Sequence, residues 1–451
     1  MRNPLLILLA IVISACSILV IKSFNNDLKS YDVQPKSVPF SETVFGYKVD
    51  DPYRWMETEK ENVKSWMLDS AKHTENQLKN IPGRERMRSA LLEMQKGGAS
   101  YSNIKVVNET IFFMKKSESS NYSNLYIRSG NEDKLLVDPK VFQKTDSEPA
   151  AIHNYSVSPS GNYIAFHISF GGSEVGTYYF KNVKSGELLE DKISPVWGQF
   201  SLYWENDEVV YSTIMSYSVP NDPLQAMQVV IHKISGETSK PILGHGVKEK
   251  PFFEPQEFPI ILPSNNSEWD IGVAVGARPD ARVMIKQEKS TEWKLIADYD
   301  DRVSNPTLRG NELILLSKKS SPNGSLLSID LNQSLSLEHS KVIVKESSAI
   351  LSEFTITNRG IYILGENNGL GIINFLSKDG LVKNIELPIQ GIIRDLDSNY
   401  ETDTLTFSIE NPTTAKKYFS LSGGTANGLG IQSFSHEPPD GFMVVREEAT
   451  S

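Results

Sequence analysis

The side chains able to do chemistry are dispersed along this sequence. Seven histidines stand at His73, His153, His167, His232, His245, His339 and His436, and none pairs at a spacing that presents two ligands to one metal. Hydrolysis by a serine needs a hydroxyl on a sharp turn, a histidine base, a carboxylate that orients the base, and backbone donors for the oxyanion. Serines beside glycines occur at Gly171-Gly172-Ser173-Glu174-Val175 and Leu421-Ser422-Gly423-Gly424. Neither has the spacing of the pentapeptide G-x-S-x-G, which appears nowhere in the sequence. The acidic run Asp298, Asp300, Asp301 lacks the alternating ligands and glycine of a calcium loop and reads as a solvated turn. No catalytic residue, cofactor or metal is therefore expected.

The elements that would carry these residues fall into distinct stretches. At 451 residues the chain exceeds one typical core, so about two structural units are expected. Hydrophobic residues make up 39% and charged residues 23%, which excludes a disordered chain, and the net charge of -10 argues against a nucleic-acid or anionic-membrane surface. Pro4 to Ile21 is an almost unbroken apolar run after Arg2, so residues 1–23 read as a signal peptide, lipoprotein signal or membrane anchor, and export to a cell envelope is expected. The single cysteine, Cys16, follows Ile-Ser-Ala as in a bacterial lipoprotein box, yet Ser17 to Ile21 stays apolar after it. Lipidation of Cys16 and an uncleaved membrane helix both fit that pattern. One cysteine excludes an internal disulfide.

Residues 24–39 are polar and read as a tether. Over residues 40–98 the spacing predicts a helical segment: apolar Val63, Trp66, Met67 and Leu78 recur among charges from Glu59 to Lys79. Ile81-Pro82-Gly83 ends that helix, and a second covers Arg84 to Gln95, stopped by Gly97-Gly98. From residue 99 to 436 the pattern changes to short β-rich runs, among them Thr110 to Met114, Tyr163 to Ser169, Gln228 to Ile234, Glu312 to Ser317, Gly360 to Leu364 and Thr404 to Ile409. Turn signals such as Ser160-Gly161-Asn162 separate them. Repetition at roughly 45 to 50 residues would give about seven blades of a β-propeller, and an array of β-sandwiches is the alternative.

Several stretches carry a resemblance that bears on this choice. FGYKVDDPYRWME, ending at Glu57, is followed by NIPGRERMRSALLEM from Asn80 to Met94, LLVDPK at Leu135 to Lys140, SVSPSGNYIAFHISFGGSE from Ser156 to Glu174, and YWENDEVVYST from Tyr203 to Thr213. Together they resemble, in order and spacing, the N-terminal segment and propeller of the prolyl oligopeptidases, serine peptidases that cut short peptides after proline. The resemblance favours a mainly β protein with a seven-bladed propeller. It also implies that Trp197 and Phe200 lie near where the family's propeller offers an aromatic side chain to peptide, making them candidate peptide contacts, with blade core as the equal alternative. Phe442 to Ser451 resembles the final strand and linker, here residues 437–451, that in the family lead into an α/β-hydrolase domain.

The resemblance further implies that the segment bearing Asp51 to Glu57 packs on that hydrolase domain. Tyr53, Trp55 and Trp66 are therefore expected at a partner interface, since aromatic side chains bury about 150 to 250 Å² each. The expected partners are a separate hydrolase-domain polypeptide, short peptides, and a membrane through the N-terminus, with no nucleic acid. A gating role in a split peptidase and a stand-alone peptide-binding or scaffold propeller both follow from this pattern.

Overall fold

The computed structural model describes residues 34–432, apart from residues 97, 131, 220–221, 237–238, 248–252, 265–266, 401 and 423, together with residues 444–447. The chain divides into two units, residues 1–94 and 95–451.

The first unit opens with a two-stranded hairpin, Ser41–Val44 paired with Tyr47–Asp50 around Phe45-Gly46. Both turn residues have positive φ, 50° and 84°, as in the type I′ turn whose twist matches the flanking strands. Gly46 adopts that geometry freely, whereas Phe45 holds a bulky side chain in the left-handed region. This corrects the expectation of a purely helical segment over residues 40–98. The hairpin strands are largely solvent-exposed, so their sequence lacks the apolar alternation that marks a half-buried strand. A 3-10 turn, Arg54–Glu57, then leads to two helices, Lys60–Lys79 and Arg84–Gln95. Trp55 Nε1 donates to Lys36 O at 2.7 Å and Val38 N to Pro52 O at 2.9 Å, so the last residues of the expected tether are fastened to this unit.

The second unit is a seven-bladed β-propeller. Its blades are four-stranded antiparallel sheets at residues 100–137, 150–197, 203–244, 258–297, 303–344, 350–384 and 392–432, each made of four consecutive strands paired in chain order. First strands of neighbouring blades meet from blade 5 through blades 6, 7, 1 and 2 to blade 3. Second strands are sandwiched between neighbouring blades and read as continuous apolar runs: Tyr163–Phe170, Glu312–Ser317 and Gly360–Asn367 are buried along almost their whole length. Fourth strands form the rim of each sheet, and Lys341–Val344 and Val382–Asn384 are exposed or half-buried. The core is a ring of apolar clusters between blades, such as Tyr362, Ile393, Phe407 and Phe419 between blades 6 and 7.

Among the described residues, no strand is exchanged between the first blade and the last, and side chains join them. Ile104 and Phe113 pack with Tyr418 and Ile431, Tyr418 Oη donates to Tyr101 O at 3.0 Å, and Lys105 Nζ lies 3.6 Å from Asp397 Oδ2. The last blade is completed by Thr425–Gln432, upstream of the final strand expected after Phe442. Residues 444–447 carry no regular structure, and Arg446 Nη1 donates to Asn368 O at 3.0 Å. The remainder of 433–451, the segment 1–23, Cys16 and most of the tether lie outside the described residues. Among the described residues, no helix is long and apolar enough to cross a membrane.

Candidate functional site

Chain order gives the propeller two rims. First strands begin and fourth strands end on one of them, and that rim carries Trp197, the last residue of Leu188–Trp197 in blade 2. Trp197, Phe200 and Phe258 pack edge to face, with ring centroids 5.6 to 6.0 Å apart. Trp197 Nε1 donates to Glu174 Oε2 at 2.9 Å, which fixes the half-buried indole. The sequence-derived pair thus comes together, joined by Phe258 from the first strand of blade 4.

A buried polar frame holds the turn between Trp197 and Phe200. Asn154 Nδ2 donates to Gly198 O at 2.8 Å and to Phe200 O at 3.0 Å, while Tyr178 Oη donates to Phe200 O at 2.8 Å. Gly198 is required by close approach, because a Cβ there would sit 2.9 Å from His153 Cγ. His153 Nε2 is 2.7 Å from Ser169 Oγ, and the fully buried His167 bonds Val196 O through Nε2 at 3.1 Å. Burial lowers the His167 pKa from 6.5 to about 4, with the neighbouring His153 ring, 5.3 Å away, adding to the shift. His167 is therefore neutral near neutral pH and serves as packing and hydrogen-bonding material. Asn154 was not among the candidate site residues singled out from the sequence, and its side-chain nitrogen, bonded to both carbonyls, gives it this positioning role.

Phe258 and Leu224 also line a cavity of about 700 Å³ bounded by Asp222, Glu254, Arg278 and Tyr299. Its floor is organised by the buried Glu257, which accepts from Arg282 Nη1 at 2.9 Å and from Tyr299 Oη at 2.7 Å. Burial first, and then the Glu257 carboxylate, raise the Tyr299 phenol well above its usual range, so it stays protonated as a donor. The Arg278 guanidinium lies 4.5 Å over the Tyr299 ring and has no carboxylate partner among the described residues. An aromatic wall beside an orienting cation can hold an apolar side chain and a peptide carbonyl or terminal carboxylate together. Phe258 and Arg278 were not found from sequence, because they lie in blade 4, some 60 to 80 positions beyond Trp197.

In the first unit Tyr53 is exposed, whereas Trp55 and Trp66 are half-buried and the Trp55 ring nitrogen is already bonded to Lys36 O. The larger apolar exposure is at Phe45, at 96%, and Tyr47, at 74%. Arg54 sits between three carboxylates, with Nε 3.2 Å from Asp51, Nη1 2.8 Å from Glu57, and Nη2 on Glu42. The run Asp298 to Asp301 forms a capped 3-10 turn in which Asp301 pairs with Lys319 at 2.7 Å. No group of three or more His, Cys, Asp or Glu able to hold a metal occurs among the described residues.

Seven four-stranded blades and the apolar clusters between them define a β-propeller. The family model for the prolyl oligopeptidase N-terminal β-propeller domain matches residues 33–427, and the chain belongs to that family. It is 24% identical over 436 residues to a prolyl endopeptidase of Elizabethkingia meningoseptica, covering 93% of this chain and 59% of that protein. A prolyl oligopeptidase A of Amanita bisporigera is 26% identical over 159 residues, 32% of this chain and 20% of that protein. Among solved structures, a prolyl endopeptidase superposes with a TM-score of 0.78 at 19% identity, over 91% of this chain and 60% of that one. Prolyl oligopeptidase B from Galerina marginata, bound to a 35mer hydrolysis and macrocyclization substrate, gives 0.77 at 14% identity, over 90% and 62%. This chain therefore spans about 60% of the length of these relatives, the A. bisporigera protein apart.

Proposed function

We propose that this chain is the substrate-filtering propeller of a prolyl oligopeptidase-type serine peptidase, without hydrolytic activity by itself, and that a separate hydrolase-domain polypeptide supplies the nucleophile. One observation carries the reading: the wall of Trp197, Phe200 and Phe258 runs directly into the cavity that holds Arg278. The residues of this sequence offer no G-x-S-x-G, so in this reading the nucleophile comes from outside them. A second reading, a stand-alone peptide-binding propeller, draws support from the closed ring, whose cores are complete without another chain. Location in the cell envelope belongs to the proposal. Replacing Cys16 by serine releases the protein from membranes if a thioether lipid holds it, and leaves it bound if the apolar run does.

The test is fluorescence anisotropy with a dansylated, proline-containing hexapeptide, alongside product release from the same peptide. Wild type binds, Trp197→Ala and Arg278→Ala each weaken binding about tenfold or more, and product forms only when a hydrolase-domain polypeptide is added. Binding that no added polypeptide converts to cleavage would establish the stand-alone reading. Unaltered affinity in both variants removes the peptide face, and cleavage by the chain alone, blocked by a serine-directed phosphonate, overturns the proposal.

A further inference from the structure

The rim opposite Trp197, where first strands end, carries a second cavity of about 780 Å³ on blade 5. It lies between the turn that joins Val303–Arg309 to Glu312–Ser317 and the connection that follows Ser325–Asp330. Its two carboxylates are already committed. Glu312 accepts from Arg309 Nε at 2.8 Å, from Arg309 Nη2 and from Ser328 Oγ. Asp330 is turned into its own loop, accepting from Asn332 N at 3.0 Å and Gln333 Nε2 at 2.6 Å.

The donors are not committed in the same way. Among the described residues, neither Arg309 Nη1 nor Lys341 Nζ has a hydrogen-bond partner, and both side chains line the cavity. His339 bonds Ser334 Oγ through Nδ1 at 2.9 Å, so with Ser334 donating, its Nε2–H becomes a further donor. A wall whose acceptors are internally occupied while a guanidinium edge, an ammonium and an imidazole N–H stay open complements an electron-rich ligand. The cavity is far larger than a bare oxyanion, and half-buried Ile343 gives it one apolar patch. We propose that it binds a small organic anion, held through a carboxylate or phosphate group by Lys341, Arg309 and His339. This site is separate from the peptide face, and its test does not depend on that reading.

The experiment follows the His339 ring resonances of the full chain, labelled with 15N-histidine and assigned with His339→Gln, at about 20 mM ionic strength so that screening is weak. Acetate and inorganic phosphate are the probes, and acetamide is the neutral isostere of acetate. Acetate and phosphate shift the resonances saturably, acetamide does not, and Lys341→Glu weakens both anions about tenfold or more. Lys341 is exposed, so its replacement leaves the fold intact. Equal shifts from acetate and acetamide, unchanged affinity in Lys341→Glu, or no saturable shift in wild type would each overturn the proposal.

Discussion

The propeller and the first unit are stabilised by different physics. In the propeller, Phe166, Phe180 and Phe407 are completely buried between blades, and apolar clusters follow one another around the ring. In the first unit the helix Lys60–Lys79 buries no residue, and order comes from the Arg54 carboxylate node and short-range hydrogen bonds. Removal of apolar surface from water scales with area, whereas half-exposed ion pairs contribute little. Substitutions should therefore separate the two regions. Phe407→Ala leaves a cavity between blades 6 and 7 and is expected to cost about 3 to 5 kcal/mol in urea unfolding followed by far-UV circular dichroism. Phe45→Ala, at a position 96% exposed, should stay within about 0.5 kcal/mol. Comparable losses for the two would break the contrast.

The propeller's polar frame adds a pH dependence of its own. His167 titrates at 6.5 when unfolded and at about 4 when folded, and among the described residues its buried Nδ1 has no hydrogen-bond partner. Between those values the unfolded chain binds a proton that the native chain refuses. Stability is therefore intact above pH 6.5, falls as pH drops towards 4, and loses nothing further from this group below that. The full loss is about 3 kcal/mol, set by the gap between those two values. His167→Gln keeps an amide able to donate to Val196 O and removes the titration. Its urea midpoint should change less than wild type's between pH 7 and pH 5, and parallel pH profiles would show that His167 is not the source.

Much of this fold is legible in the sequence where burial is one-sided or complete. The run Glu312–Ser317 reads as a strand because it is apolar and sandwiched between blades, and Arg84–Gln95 is delimited by Pro82-Gly83 before it and glycines after it. Blades are harder to count. The first strand of blade 3 is only Tyr203–Trp204, and first strands in several blades are bulged, as at Asn103, Asn305 and Asp395, all at positive φ. A bulge shifts the alternation by one residue and erases the period of two. The hairpin Ser41–Asp50 is not legible in the sequence because its strands are exposed and carry no apolar alternation. At the rim that carries Trp197, that residue and Phe200 are readable as neighbours in sequence. Phe258, Arg278 and the Asn154 clamp become neighbours only when the ring assembles.

A more modest loss tests whether the first unit depends on its charges at all. Arg54→Ala leaves Glu42, Asp51 and Glu57 facing one another without their cation, and removes the guanidinium 5.4 Å from the Phe40 ring. The side chains are about one-third exposed or more, so solvent screens the pairs and the expected cost is about 1 kcal/mol. Hydrogen exchange gives the local readout. The Asp51 amide, bonded to Phe40 O at 2.9 Å, and the Val38 amide should exchange about fivefold faster. Amides of Gly360–Asn367, in the core of blade 6, should keep their wild-type rates. At about 1 M salt the Debye length falls to about 3 Å, and the gap between Arg54→Ala and wild type should narrow. Equal acceleration in blade 6 would mean that the two regions open as one cooperative unit, with the charge node at Arg54 contributing to both.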